Sequence, residues 1–457
     1  MNLTIREVRE ATGGRLLNGS EKGKVTGVST DSRTVKRGDL FFALQGPKFD
    51  GHDYLKEVFR RGAAGAVVSR PVRFGKNIVQ VSDPLKALGD LAHHWRKRFP
   101  IPVVAVTGSN GKTTTKDLIA AILGTSLRLV KTEGNFNNQI GLPLTLFRLN
   151  RKSEAAVLEM GMNHPKEIDR LGEIAEPQVG VITVIARAHL EGVGGIGAIA
   201  RSKAELLTHL PRNGLAVLNA DDASTSILKK YLRSPVVTFG QTPRATVRLL
   251  STKIDGFKGI RFSVSLKGRR HPFQIPLIGR HNVSNALAAI AVADHFGIPI
   301  HRIRRALARF SAPSKRMERV SIGSIDLVND SYNANPDSTC AALESLKEMG
   351  KGRRRVAVLG EMLELGRHAG SGHREVGESA ARSVQCLFAV GPHAQEMMRG
   401  ARKGGLSKGA AFSSMEEMIP PLLSELRAGD LVLIKGSRGM KMERVVEVVQ
   451  TNRRKFH

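Results

Sequence analysis

Glycine, lysine and hydroxyl side chains at short, fixed spacing are the combination that holds phosphate, and residues 107–116 supply it as TGSNGKTTTK. Gly108 and Gly111 let backbone N–H groups come close to phosphate oxygens, with Ser109 and Asn110 forming the polar turn between them. Lys112 is long enough to reach the β- and γ-phosphates. The Thr113 hydroxyl can bind Mg²⁺, and Thr114 follows it in the first helical turn. The usual GxxxxGKT pattern has a further glycine five residues before Gly111; that position is Val106, so this is a variant loop whose first glycine is Gly108. The chemistry served by such residues is transfer or cleavage of the terminal phosphoryl group of a nucleoside triphosphate.

A loop of this kind works between a buried strand and a helix. VVAV precedes it, a short apolar run of the parallel-sheet type, and KTTTKDLIAAIL follows with a helical pattern. AAVLEMG (155–161), VGVITVI (179–185) and LAVLNA (215–220) repeat the strand pattern with helical stretches between them. This predicts βαβ units and a central, P-loop-type, mostly parallel sheet with helices on both faces. Residues 244–278 read as β-hairpins and 282–296 as an apolar helix. RRVAVLGEM (354–362), QCLFAVG (385–391) and DLVLIKGS (430–437) predict a smaller doubly wound, Rossmann-like C-terminal domain. The first hundred residues mix short strands and helices and predict a smaller α/β N-terminal domain. HHWRKRFPIP (93–102) and SAPSKR (311–316) have linker composition, which places three α/β domains at 1–98, 99–312 and 313–457.

Four further residues stand out singly. Glu159 closes AAVLEM, at the edge where α/β sheets place ligand groups, and a carboxylate there suits Mg²⁺. His189 follows VGVITVI, and a lone histidine there is more often structural. Lys203 lies in AIARSKAELLTHL, where the helical pattern by itself predicts a solvated lysine. Asn282 opens the apolar helix, equally suited to capping it and to touching a ligand.

Composition narrows the class. The two cysteines, Cys340 and Cys386, belong to no CxxC pair, which argues against a disulfide framework or a cysteine zinc site. MNLTIREVREATGG has no apolar stretch of signal-peptide length, and no run approaches the roughly 18 apolar residues of a spanning helix. A cytoplasmic chain with no membrane span is the expectation. The net charge of +30 divides as +9, +15 and +6 over residues 1–100, 101–312 and 313–457. Charge this evenly spread, with only 5% aromatic residues, predicts no nucleic-acid partner. It would attract anionic nucleotides in general.

TGSNGKTTTK resembles the phosphate loop of the Mur ligase family, which builds the peptide stem of peptidoglycan. GNFNNQIGLP (134–143), Glu159 in LEMGMN, His189 in AHLEG, Lys203 in RSKAEL, GRHNVSNALAA (279–289) and NDSYNANP (329–336) match family segments in the same order. STDSR (29–33) and DGH (50–52) are similar to its UDP-binding elements, so the resemblance covers nearly the whole chain. NDSYNANP and GEMLELG (360–366) look most like the member that joins D-alanyl-D-alanine to UDP-N-acetylmuramoyl-tripeptide. The DNPR segment expected of the diaminopimelate-adding member is absent. NGKTT stands where the related folate polyglutamate synthases usually have NGKGS. The chain departs from the family pattern at Val184 and Ala186, commonly asparagine and glycine, and at Glu361, commonly aspartate.

The resemblance implies an ATP-dependent ligase that forms a C–N bond through an acyl phosphate, with ATP as co-substrate and two Mg²⁺ ions. It implies catalytic roles for Lys112, Lys203 and His189, and metal ligation by Thr113, Glu159, His189 and Lys203, the last if carbamoylated. It further implies contacts of Asn282 with adenine, Arg316 with the γ-phosphate and Asp330 with the ribose. Ser29, Asp31, Ser32, Arg33, Asp50 and His52 would meet the UDP moiety, and Asn135, Asn138, Tyr332 and Asn335 the rest of the substrates. The family is mostly monomeric. Two alternatives stand beside this one: a sibling ligase that adds a single amino acid, and a basic P-loop ATPase acting on nucleic acid. The second predicts clustered basic residues.

Overall fold

The computed structural model describes residues 1–187 and 190–452. Its strands form three larger sheets. The central one contains β1 (Val103–Thr107), β2 (Leu129–Lys131), β3 (Ala155–Glu159), β4 (Val179–Ile182), β5 (Leu215–Asn219), β6 (Val236–Gly240), β7 (Val247–Ile254), β8 (Ile260–Leu266) and β9 (Arg269–Ile275). Their order is β2-β3-β1-β4-β5-β6-β7-β8-β9. The C-terminal sheet contains β10 (Glu318–Ile322), β11 (Ile325–Asp330), β12 (Arg355–Gly360), β13 (Cys386–Val390), β14 (Gly409–Phe412) and β15 (Leu431–Lys435), in the order β10-β11-β15-β12-β13-β14. The chain divides into two compact units. One is Met1–Val106 with Leu127–Gly180 and Glu205–Leu215; the other is Thr107–Ser126 with Val181–Ala204 and Ala216–His457.

In the first unit a five-stranded sheet runs in the order Arg15–Asn18, Ile78–Gln80, Gly65–Val68, Asp39–Phe42, Gly27–Ser29. The first pair is antiparallel and the other three are parallel. Phe41, Leu55, Val58, Ala66 and Ile78 pack beneath it. The helix Pro84–Arg96 starts where Asp83 accepts from the N–H groups of Leu85 (2.8 Å) and Lys86 (3.1 Å), with proline at the first helical position, where no N–H is needed. The run expected to be a linker is anchored, because its Arg96 is buried. Arg96 donates to the carbonyls of Ala175 (3.1 Å), Phe99 (2.5 Å) and Ile101 (3.0 Å), which offsets the cost of taking a guanidinium out of water. In the same unit β1 and β3 are parallel, with Val106 opposite Glu159. The register delivers Glu159 to the carboxyl end of the sheet.

In the second unit β5, β6 and β7 are parallel, while β7, β8 and β9 form the antiparallel meander expected of residues 244–278. Helix α1 (Lys112–Leu123) leaves the glycine loop, and α2 (Ile196–Thr208) carries Lys203. Helix α3 (His281–His295) is rich in alanine and buried almost all round, which is why it reads as apolar without a polar stripe. Helix α4 (Ile300–Ala308) buries only Ile303 and Leu307. In the C-terminal sheet β10 is antiparallel to β11 and every other pair is parallel. Helices α5 (Pro336–Met349) and α6 (Ala369–Ala381) belong to this doubly wound layer. Among the described residues no helix is long and apolar enough to cross a membrane.

Candidate active site

The two glycines of the phosphate loop are required by their neighbours. Gly108 has φ +147°, and a Cβ there would lie 1.9 Å from Thr183 Oγ1. Gly111 has φ +81°, and its Cβ would lie 2.3 Å from Asn285 Oδ1. The loop is tied down from three sides within its unit. The Ser109 amide donates to Val184 O (2.7 Å), and its hydroxyl both donates to Ala186 O (3.0 Å) and accepts from Ala186 N (2.9 Å). Thr183 Oγ1 donates to Asn110 O at 2.6 Å. Thr115 Oγ1 donates to Asn285 Oδ1 (3.2 Å), Asn285 Nδ2 to Asn282 Oδ1 (2.9 Å), and Asn282 Nδ2 to Ile278 O (2.7 Å). Asn282 therefore opens α3 as one link in an amide relay that reaches the loop. Lys112 Nζ donates to the carbonyls of Gly108 (2.8 Å) and Ser109 (3.2 Å). Thr114 is buried beneath the loop.

Residues of the C-terminal segment reach the same loop. Arg316 Nη2 donates to Thr113 Oγ1 at 2.9 Å, and its guanidinium lies 4.0 Å from the centre of the Tyr332 ring. Lys315 and Met317 on either side of Arg316 have φ +62° and +51°, left-handed conformations that cost non-glycine residues energy. Asn335 Nδ2 donates to Asn110 Oδ1 (2.9 Å), and its Oδ1 accepts from Ser338 N (2.8 Å), so one side chain caps α5 and holds the phosphate loop. Asp330 accepts from Lys435 Nζ (2.5 Å) and Met317 N (3.1 Å). Lys435 is buried and also donates to Asn333 O at 2.8 Å.

Arg187 adds a second tie. It forms a two-pronged pair with Asp337 at the start of α5 (2.6 Å) and another pair with Glu375 on α6 (2.6 Å), and its own N–H donates to Asp337 at 2.8 Å. The hydrogen bonds it donates to Glu375 and Asp337 raise its guanidinium pKa. The loop carrying Arg187 is the one stapled to Ser109.

Lys203 is almost wholly buried. Among the described residues its ammonium has no ion-pair partner. Burial, and then the charge of Lys112, push its pKa well below the ordinary lysine range. A buried amine whose charged form is disfavoured by burial and by a second cation is a site that favours an anion. His189 lies outside the described residues.

In the first unit, Glu159 is buried. Its Oε1 accepts from Asn137 Nδ2 at 2.8 Å, while its Oε2 is buried with no hydrogen-bond partner. Leaving a carboxylate oxygen so costs free energy that a bound cation would recover. Asn138 Oδ1 accepts from the N–H groups of Ile140 (3.1 Å) and Gly141 (2.9 Å), capping a short helix, and Asn135 is exposed. Ser29 and Asp31 form a tight turn, with Asp31 N donating to Ser29 Oγ at 3.2 Å, next to Ser32. The exposed Arg33 pairs with Asp31 at 2.7 Å; its side-chain hydrogen bond is the main cause that holds the Asp31 carboxyl down to about 2. His52 is buried with both ring nitrogens used, Nδ1 on Asp50 (2.6 Å) and Nε2 accepting from Ser69 N (3.1 Å). Asp50 also pairs with Arg70 at 2.9 Å.

Similarity to known proteins follows this geometry along the chain. The sequence pattern of the Mur ligase family catalytic domain matches residues 24–96, the Mur ligase middle domain 106–293, and the Mur ligase glutamate ligase domain 315–438. The chain is 35% identical to the UDP-N-acetylmuramoyl-tripeptide--D-alanyl-D-alanine ligase of Bacillus subtilis (strain 168), covering 97% of both chains. The chain belongs to the Mur ligase family. A solved structure of MurF from Acinetobacter baumannii superposes on this Mur ligase with a TM-score of 0.93, at 30% identity and 99% coverage of both chains. MurF from Thermotoga maritima, solved in complex with ADP, does so with a TM-score of 0.83 at 27% identity, covering 94% of this chain and 98% of that one. The three-domain α/β fold expected from the sequence is the fold of these enzymes.

Several contacts of this Mur ligase were not legible in its sequence. Asn285 sits three residues after Asn282 in NVSN, and that spacing is the only hint that both amides face the loop. Asn137, which the sequence did not single out, holds Glu159. Lys435 ends an apolar strand, as Glu159 does, and the same strand-end reasoning would have flagged it. Arg187 gave no signal, because its partners lie 150 and 188 residues away. A trio of buried Glu361, buried His373 and half-buried His393 has the residue types of a metal site, with His393 Nδ1 2.7 Å from Glu361 Oε1. His373 Nδ1 donates to Ala369 O (2.7 Å) and its Nε2 accepts from Met362 N (3.0 Å), so its lone pair is spent on the backbone.

Proposed function

We propose that this chain joins D-alanyl-D-alanine to the tripeptide carboxylate of UDP-N-acetylmuramoyl-tripeptide, using ATP and giving ADP and phosphate. The observation that carries the reading is the gathering of Lys112, Thr113, Arg316 and Lys203 around one glycine loop, in a chain similar from end to end to a ligase of that name. A carboxylate oxygen of the tripeptide attacks the γ-phosphorus, the bond to ADP breaks, and an acyl phosphate forms. The amine of D-alanyl-D-alanine then attacks the acyl carbon, loses a proton, and phosphate departs with the C–O bonding pair. The first step brings two anions together, so cationic side chains must surround it. Lys112 and Arg316 meet that need, with Arg316 held by Tyr332.

Mg²⁺ would be held by Thr113, Glu159, His189 and Lys203 as its carbamate, and it would neutralise phosphate charge. The partnerless Glu159 oxygen and the neutral Lys203 amine are the features that fit it. Carbamoylation joins the amine nitrogen to CO₂ with loss of a proton, turning the residue into an oxygen ligand. Adenine falls to Asn282 and the ribose to Asp330. Ser29, Asp31, Ser32, Arg33, Asp50 and His52 take the UDP moiety, and Asn135, Asn138, Tyr332 and Asn335 take the remaining substrate groups. These assignments follow domains at 1–98, 99–312 and 313–457, in a monomer working in the cytoplasm.

The test is phosphate release from ATP with substrates omitted one at a time. Release requiring both the tripeptide nucleotide and D-alanyl-D-alanine, with formation of the pentapeptide nucleotide, is expected. Release that accepts a single amino acid instead moves the chain to a sibling ligase, and release dependent on neither removes the ligase reading.

A further inference from the structure

Summed over residues 1–100, 101–312 and 313–457 the positive charge looks even, but at the scale of elements it is concentrated. Residues 244–309 carry 13 Lys and Arg against 2 Asp and Glu, a net +11. Arg261, Lys267 and Arg280 of that stretch are paired with Asp255, Asp294 and Glu348. Among the described residues Arg248, Lys253, Arg270, Arg304 and Arg305 form no ion pair.

The sheet register puts the unpaired cations together. In the β7–β8–β9 meander, Phe262 and Phe273 face inward, buried and stacked at 5.7 Å. Alternation then turns Arg261, Ser263 and Ser265 of β8 outward. Opposite them stand Lys253, Ser251 and Arg248 on β7 and Gln274, Pro272 and Arg270 on β9. Arg270 Nη2 donates to Ser263 Oγ at 3.3 Å, as two side chains of one face must. Helix α4 extends the surface: Arg304 Nε donates to Pro272 O at 3.1 Å, and Arg305 beside it is exposed.

We propose that this face, formed by Arg248, Lys253, Arg270, Arg304 and Arg305, docks the enzyme on an anionic lipid surface. Charge complementarity is the driving force. Each basic side chain near such a surface contributes about 1 kcal/mol, screened beyond a Debye length of about 8 Å in physiological salt. The shape favours lipid over nucleic acid. The cations are spread over a sheet face whose strand phenylalanines, Phe262 and Phe273, point inward, and the ring of Phe257 at the β7–β8 turn is covered by the Arg319 guanidinium (4.2 Å), so bases have no free ring to stack on. None of the five residues belongs to the phosphate-loop site, so docking and ligation are separable.

The experiment is co-sedimentation of the full chain with phosphatidylcholine vesicles, with and without phosphatidylglycerol. Three proteins are compared: the wild type, the triple variant Lys253→Gln/Arg270→Gln/Arg304→Gln, and a control, Lys22→Gln/Lys351→Gln/Lys408→Gln, on exposed lysines elsewhere. Binding only to the anionic vesicles, lost in high salt, is expected. The first triple variant should weaken it about 100-fold, the factor for three such cations, while the control changes it little and both keep wild-type phosphate release. Equal losses in the two triple variants would mean that net charge alone acts. That result, absence of binding to anionic vesicles, or tighter binding to duplex DNA at equal phosphate concentration would overturn the proposal.

Discussion

Glu159 shows how a single atom separates a structural carboxylate from a ligand. One oxygen is satisfied by Asn137, while the other is buried without a partner, and protein stability gains nothing from that arrangement. Glu159→Gln keeps the Asn137 hydrogen bond. In metal-free denaturant titration it should alter stability by less than about 1 kcal/mol, while Mg²⁺-dependent phosphate release falls about 100-fold or more. A loss of several kcal/mol would instead mark Glu159 as part of the core. Lys203 can be followed by ¹³C NMR after incubation with labelled bicarbonate. Carbamate forms from the neutral amine, and burial together with Lys112 keeps that amine neutral well below the ordinary lysine pKa. The carbamate signal should vanish as pH falls through the lowered pKa. Lys112→Met removes one cause of the shift, so the signal should be lost at a higher pH than in wild type. An unchanged midpoint would refute the coupling.

At the scale of elements, polar ties join distant segments of the second unit to the phosphate loop. Arg187 links the loop stapled to Ser109 with α5 and α6, and Asn335 joins the start of α5 to Asn110. About a third of Arg187, and as much of Asp337, is exposed. Solvent screening therefore limits a double-mutant cycle between them to a coupling of about 1 kcal/mol. Arg187→Met should still lower kcat more than it raises KM for ATP, because the tie positions α5 rather than touching nucleotide. The charge-reversed pair Arg187→Asp/Asp337→Arg should recover part of the loss. Asn335→Ala removes a helix cap as well as the loop contact, and should cost about 1–2 kcal/mol in chemical denaturation.

At the scale of the whole molecule, the residues proposed to bind ligands are divided between the two compact units. The phosphate loop, Asn282, Arg316 and Asp330 lie in one, while Ser29, Arg33 and Glu159 lie in the other. Hydrogen exchange should follow that division. ADP should protect amides around 107–115 and in the first turn of α3, and UDP should protect those around 29–33, each with little effect on the other unit. Ligand at 100 times its Kd should stabilise the unit that binds it by about 2.7 kcal/mol. Protection spread evenly over both units by either ligand alone would contradict this.

What the sequence determined was the local part. The apolar run before the loop, the two glycines with no room for a Cβ, and the alternation of strand and helix patterns are properties of neighbouring residues, and they were readable as neighbours. So was the doubly wound C-terminal domain, because parallel strands buried on both faces are short apolar runs. Tertiary structure decided what depends on partners far apart in the chain. It anchored the 93–102 run through buried Arg96, and it gave Arg187 its partners on α5 and α6. It chose Asn137 over its neighbours for Glu159, and it turned a solvated-looking Lys203 into a buried amine. It also set which cations of the basic 244–309 stretch share a face and which are paired with carboxylates. A side chain's polarity is written in the sequence, but whether it meets water, a carbonyl or another charge is set only when distant segments pack.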